Sequence, residues 1–234
     1  MNVRVGTSGY NYSAWKGTFY PADLAASKML PYYAARFGTV EINATFYRMP
    51  TPKALAGWDA ATPERFVLAL KAPQRITHFG RLRGIDEPLR LFCDVARTLG
   101  PKLGPLLFQL PPNFKKDTER LAETLSLLPP GLRCAFEFRH QSWLGDDVYD
   151  LLRRRNAALC VADGEAMSTP PVATADFGYL RLRDEGYTDA DLGRWADAIG
   201  GLGGSWREAF VYFKHEESGT GPAFARRLSD LLGA

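Results

Sequence analysis

Eight short apolar segments, each followed by enough chain to cross back over a sheet, constrain this sequence more than any other feature. They are 3-VRVG-6, 39-TVEINA-44, 66-FVLALK-71, 106-LLFQL-110, 133-RCAFEF-138, 158-ALCVAD-163, 178-GYLRLR-183 and 210-FVYFKH-215. Strands separated by crossovers lie parallel, and right-handed crossovers allow either an open doubly wound sheet or a closed barrel. Eight units in 234 residues predict the second: a single-domain α/β fold over residues 1–234, a (β/α)8 TIM-like barrel.

The intervening helical patterns have readable ends. One spans roughly 23–37, between Asp23 and Gly38, with Pro31 inside it. Another runs from Glu87 to Leu99 and stops at Gly100. A third opens at Asp117 and aligns Leu121, Leu125 and Leu128. Thr188 and Asp191 have capping-box spacing, and a last helix runs from Pro222 to Gly233. Two links break the pattern. Pro170 and Pro171 predict a short or missing helix after strand 6. The Gly-, Tyr- and Trp-rich stretch 6–23 predicts an irregular first βα loop over the barrel mouth. The glycines of 6-GTSGYN-11 lack the third member of a dinucleotide fingerprint.

Composition narrows the function classes. Hydrophobic residues make up 46% of the chain, enough for a full core, and the net charge is only +3. The longest basic run, Arg153 to Arg155, falls on a helix and reads as a solvated face. Long nucleic acids are therefore disfavoured as partners, though a nucleotide is not excluded. Cys93, Cys134 and Cys160 are scattered in apolar stretches without metal or redox spacing, which predicts buried free thiols in a reducing compartment. The N-terminal residues lack an apolar signal core and no run approaches ~18 apolar residues. A cytoplasmic protein without membrane contact and without a cofactor is expected. Oligomeric state is left open.

Side chains alternate across a strand, and this decides where the ionisable residues go. In the fifth segment Cys134, Phe136 and Phe138 oppose Ala135, Glu137 and Arg139; in the seventh Leu180 and Leu182 oppose Tyr179, Arg181 and Arg183; in the eighth Val211 and Phe213 oppose Tyr212 and Lys214. Glu41 and Asn43, Lys71, Gln109 and Asp163 take the inward places of the second, third, fourth and sixth. These positions gather at C-terminal strand ends, where barrels of this type carry their active sites. Tyr10, Tyr12, Trp15, Phe46, Tyr47 and Trp143 lie in loops leaving the same end, with faces suited to stacking on a sugar or base. His140 follows the fifth strand as an acid/base or a loop cap.

The motifs 6-GTSGYNYSAWKGTFYP-21, 41-EINATFYRMP-50, Lys71 with Thr77 and His78, 108-FQLPPNF-114 and 136-FEFRHQSWL-144 make the chain resemble the YecE-like family, domain of unknown function 72. The resemblance implies a TIM-like barrel related to the sugar isomerases, with no settled activity. The chain departs from that family's pattern at Leu182, Arg183 and Asp184, and at Lys214 and His215, which predicts a more cationic site.

The leading expectation is a metal-independent enzyme acting on a small anionic or sugar-like molecule. Arg139 and Arg181 would grip the anion, with Gln109, Asn43, Asp163, Tyr10, Trp15, Tyr47, Trp143 and Lys214 completing the substrate site. Glu137 or Glu41 would serve as general base, with Lys71 stabilising an oxyanion and His140 assisting. A Schiff base through Lys71 is a minor variant, because nearby carboxylates should hold the ammonium charged. Two alternatives stand beside it. One is a metal-dependent hydrolase or nuclease using Glu137, Asp163 and His215. The other is a non-catalytic nucleotide or nucleic-acid binding module.

Overall fold

The computed structural model describes residues 1–164, 167–184 and 186–233. Eight parallel strands form the sheet: β1 (Asn2–Thr7), β2 (Thr39–Ile42), β3 (Val67–Lys71), β4 (Leu103–Gln109), β5 (Cys134–Glu137), β6 (Ala158–Ala162), β7 (Phe177–Leu182) and β8 (Glu208–Phe213). Their order is β1-β8-β7-β6-β5-β4-β3-β2. The ring closes between β1 and β2 at its mouth through a parallel bridge from Ser8 to Glu41, where Gly9 N–H donates to the Glu41 carbonyl at 2.8 Å. Lower in this seam the Tyr33 hydroxyl takes the place of a ladder bond. It accepts from Thr7 N–H at 2.8 Å and lies 3.1 Å from the Thr39 carbonyl oxygen. Gly6 is required there, because a Cβ would collide with the Thr39 carbonyl.

Helices surround the ring: α1 (Met29–Ala34), α2 (Ala44–Tyr47), α3 (Pro52–Ala60), α4 (Asp86–Ala96), α5 (Thr118–Leu127), α6 (Asp146–Arg154), α7 (Asp189–Gly201) and α8 (Thr220–Leu232). Asp117 caps α5, accepting from Arg120 N–H, and Thr188 with Asp191 forms the anticipated capping box of α7. The helix expected over 23–37 is shorter. A 3-10 turn at Ala26–Lys28 leads into α1, placing Pro31 in a first turn whose N–H groups have no intrahelical partner in any case. The pattern reading assigns no helix to 44–60, where α2 and α3 stand. Thr51 Oγ1 accepting from Ala54 N–H, ahead of Pro52, is the start signal it passes over.

Among the described residues no helix joins β6 to β7. Thr174 ties this link to the barrel floor, with Oγ1 accepting from Leu159 N–H at 2.7 Å and donating to the Ala157 carbonyl at 2.8 Å. The first βα connection is likewise irregular, holding only a 3-10 turn at Ser13–Trp15 before residue 26.

Alternation divides the apolar residues into two bodies. Val67, Ala69, Leu107, Ala135, Ala158, Cys160, Phe177, Tyr179, Phe210 and Tyr212 fill the barrel. The larger layer, including Leu68, Leu70, Phe108, Phe136, Leu180 and Val211, packs strands against helices. All three cysteines are free and buried. No helix among the described residues is long and apolar enough to cross a membrane.

Candidate functional site

The inward residues at the C-terminal strand ends meet in one connected network. Arg181, wholly buried near the end of β7, is its hub. Its Nη1 donates to Glu137 Oε2 at 2.5 Å. Its Nε and Nη2 donate to Glu41 Oε1 at 3.1 and 2.9 Å, and Nη2 also reaches Ser8 Oγ at 3.0 Å. Glu41 further accepts from Ser8 Oγ and, on Oε2, from the Tyr179 hydroxyl at 2.6 Å. Asn43 Nδ2 donates to Ser8 Oγ at 2.8 Å. Around Glu137, Gln109 Nε2 donates to Oε2 at 2.8 Å, Arg139 Nε to Oε1 at 2.9 Å, and Arg183 Nη1 lies 3.5 Å from Oε1. Lys71 Nζ donates to Gln109 Oε1 at 2.9 Å and stands 4.0 Å over the Phe46 ring.

The electrostatics follow from this count. Two carboxylates, Glu41 and Glu137, face three guanidiniums, Arg139, Arg181 and Arg183. Counted over the described residues, the network is therefore net positive even before Lys71 is added. Burial alone would raise the Glu137 carboxyl. The Arg181 guanidinium, then Arg139, the Gln109 hydrogen bond and Arg183 outweigh it and hold the group far below the usual carboxylate range. That opposes the expected role of Glu137 as base, since a carboxylate so strongly held has little affinity for a proton.

Lys71 moves the other way. Burial first, and Arg181 second, push its amine down to about 7, against the opposing pull of Glu137 and Glu41. The expectation that neighbouring carboxylates would keep it charged fails because arginines already neutralise them. His78 stacks edge-on against Phe46 at 4.8 Å and is lowered to about 4 by burial and then by Lys71.

Beside the network opens a cavity of about 800 Å³, lined by Pro112, Glu137, Arg139, Asp163, Met167 and Arg183 among others. The Arg139 and Arg183 side chains are 27% and 29% exposed, whereas Glu137 is sealed. Asp163 Oδ1 accepts from Arg183 N–H at 2.6 Å, and Oδ2 accepts from the Tyr187 hydroxyl. Burial raises its carboxyl, outweighing the hydrogen bonds from Tyr187 and the Arg183 backbone.

Several expected site residues lie elsewhere. Trp15 is completely buried and packs on Tyr12, Phe19 and Tyr20. Trp143 is equally buried, stacked on Phe138 at 4.7 Å with Nε1 donating to the Phe114 carbonyl at 2.7 Å. Both are core residues, because their loops fold back under themselves and present no indole face to a ligand. Tyr10 is half-buried toward Trp58 on α3. Tyr47 is 74% exposed and touches Phe46. His140 Nδ1 accepts from Ser142 N–H and caps the 3-10 turn Gln141–Trp143. Lys214 Nζ sits 3.7 Å from Glu216 and stands apart from the network. The Glu137, Asp163 and His215 metal set does not assemble. His215 Nε2 lies 2.6 Å from the Asp184 carbonyl oxygen, its ring among Tyr187, Phe213 and Phe224 on the outer side. Among the described residues no three His, Cys, Asp or Glu side chains converge for a metal ion.

Ser8, the contact of His78 with Phe46 and the pairing of Tyr179 with Glu41 escape the sequence reading. Strand parity was sufficient for the first: Val5 belongs to the outer layer, so Ser8, three residues on, turns inward. The other two are tertiary contacts without a local signal.

Residues 4–234 match the family described as "Protein of unknown function DUF72". The UPF0759 protein YunF of Bacillus subtilis is 29% identical over 219 residues, 86% of this chain and 75% of the relative. The UPF0759 protein YecE of Escherichia coli K12 is 32% identical over 109 residues, 46% of this chain and 40% of the relative. The crystal structure of a DUF72 family protein (TM1631) from Thermotoga maritima superimposes with a TM-score of 0.87 at 27% identity, covering 100% of both chains. The ring of eight strands and the match across almost its full length lead to one conclusion: this chain belongs to the DUF72 family.

Proposed function

We propose that the barrel mouth is an active site for a small anionic or sugar-like substrate, and that its chemistry is metal-independent proton transfer beside a carbonyl. One observation carries this reading. Arg139 and Arg183 stand part-exposed on the cavity wall, while the carboxylate they share, Glu137, is sealed beneath them. Among the described residues their remaining side-chain N–H groups have no hydrogen-bond partner, which leaves them to meet a phosphate or carboxylate with the geometry that suits guanidinium. Glu41 and Glu137 then act as fixed counter-ions that hold Arg181 and aim the cationic wall. Proton transfer falls to Lys71 and Asp163, whose amine and carboxyl are both displaced toward neutrality by burial, as general acids and bases require.

Calorimetry with inorganic phosphate and a panel of sugar phosphates and hydroxy acids tests the anion site. Arg139→Ala and Arg183→Ala are each expected to weaken binding by about 10–100-fold, the loss of one charge-assisted pair. Proton transfer is read by NMR, as deuterium from solvent entering the carbon next to the carbonyl of a bound ligand. Equal affinities in wild type and both variants would remove the assignment.

A further inference from the structure

Among the described residues two lysines are buried, Lys71 and Lys102, and they are satisfied in opposite ways. Lys102 Nζ donates to the carbonyls of Asp59 and Thr62 at 2.7 and 2.8 Å and pairs with Asp59 Oδ1 at 2.9 Å. All three of its N–H donors have oxygen acceptors. Lys71 Nζ has one oxygen acceptor, Gln109 Oε1, and otherwise an aromatic face. Among the described residues no carboxylate comes within ion-pair distance of it. Glu41 and Glu137 lie close enough to influence it, but their oxygens are engaged by Ser8, Tyr179, Gln109 and the arginines.

Gln109 enforces this separation. Its Nε2 donates to Glu137, so its oxygen is turned to Lys71. An amine that donates one hydrogen to that oxygen points its lone pair away from Gln109. A lysine held with too few acceptors and at low charge is a nucleophile rather than a counter-ion.

We propose that Lys71 Nζ attacks an aldehyde or ketone carbonyl of the anionic substrate and forms an iminium. The nitrogen lone pair makes the new C–N bond while the carbonyl oxygen takes up a proton. The nitrogen releases one proton, and the hydroxyl, protonated in turn, leaves as water as the nitrogen forms the C=N⁺ bond. The iminium is the electron sink for loss of a proton from the adjacent carbon, so the inference rests on the proton-transfer reading above and names its substrate class, anionic carbonyl compounds.

Reductive trapping tests it on the wild-type chain. The protein is incubated at pH 7 with either glyoxylate, an anionic aldehyde, or glycolaldehyde, a neutral one. Cyanoborohydride then reduces any imine to a stable secondary amine, and peptide mass mapping locates it. Lys71 is expected to be tagged at least about tenfold faster than Lys28 and Lys53, which are exposed to solvent. Inorganic phosphate should slow tagging by glyoxylate more than tagging by glycolaldehyde. Tagging of Lys71 by both probes no faster than Lys28 and Lys53, in protein that still binds phosphate through Arg139 and Arg183, would overturn the imine and leave the anion site standing. Selective tagging by glycolaldehyde without any phosphate binding would overturn the anion site and leave the amine.

Discussion

Arg181 Nη1 donates to Glu137 Oε2 at 2.5 Å, both side chains fully buried at the top of the barrel. The same guanidinium binds Glu41 through Nε and Nη2. One cation from β7 therefore holds two anions from β2 and β5, three strands apart around the ring. Removing charges from water is costly, and such an arrangement survives only when every partner is present.

Arg181→Met should accordingly strip Glu41 and Glu137 of their shared cation. A loss of about 3–5 kcal/mol is expected, as for other buried pairs broken from one side, read as a shift in the urea midpoint. The triple change Glu41→Gln, Arg181→Met, Glu137→Gln should recover much of it, since no unpaired charge then remains. A triple variant no more stable than Arg181→Met would show that packing, not charge, sets the cost.

Acid sensitivity should trace to Glu137. Its carboxyl is held far below the ordinary range when folded, so the unfolded chain binds the proton more readily. The stabilisation is complete above the unfolded value, about 4.3, and drains away as pH falls toward the folded one. Wild type should lose on the order of 2–4 kcal/mol on this account below about pH 5. Glu137→Gln is expected to be less stable at pH 7 but to show a shallower acid slope in pH-dependent urea melts.

Lys71 has the opposite sign. Its amine titrates near about 7 in the fold and near 10.4 in the unfolded chain. The unfavourable contribution is therefore largest below pH 7 and shrinks as pH rises toward the unfolded value. Lys71→Met should raise stability more at pH 6 than at pH 9, by on the order of 2 kcal/mol. Thermal melts at the two values decide it, and an equal gain at both would mean that the amine is charged throughout.

Trp143 is predicted to serve the fold alone. Its stacking on Phe138 and hydrogen bond to Phe114 place a Trp143→Ala change in the range of about 3–5 kcal/mol for large core truncations. Trp143→Phe should keep most of the stack and cost far less. Phosphate affinity of the Phe variant, measured by calorimetry, is expected to match wild type; a marked loss would return this residue to the ligand site.

The order of strands, their parallel sense and the inward set Glu41, Lys71, Gln109, Glu137 and Arg181 were determined by the sequence alone. Period-two alternation and crossover-length links are local properties, and a barrel turns them directly into a common mouth. Capping at Asp117 and Thr188 was legible for the same reason. Tertiary structure alone decided who pairs with whom. Whether a carboxylate is a base or a locked counter-ion depends on guanidiniums arriving from strands far away in sequence, as Arg181 does for Glu137. Loop aromatics were the other blind spot: nothing in 13-SAWKGTFY-20 or 136-FEFRHQSWL-144 tells whether an indole faces ligand or core. That choice is made by which neighbours, Tyr20 or Phe138, are brought beneath it when the chain closes.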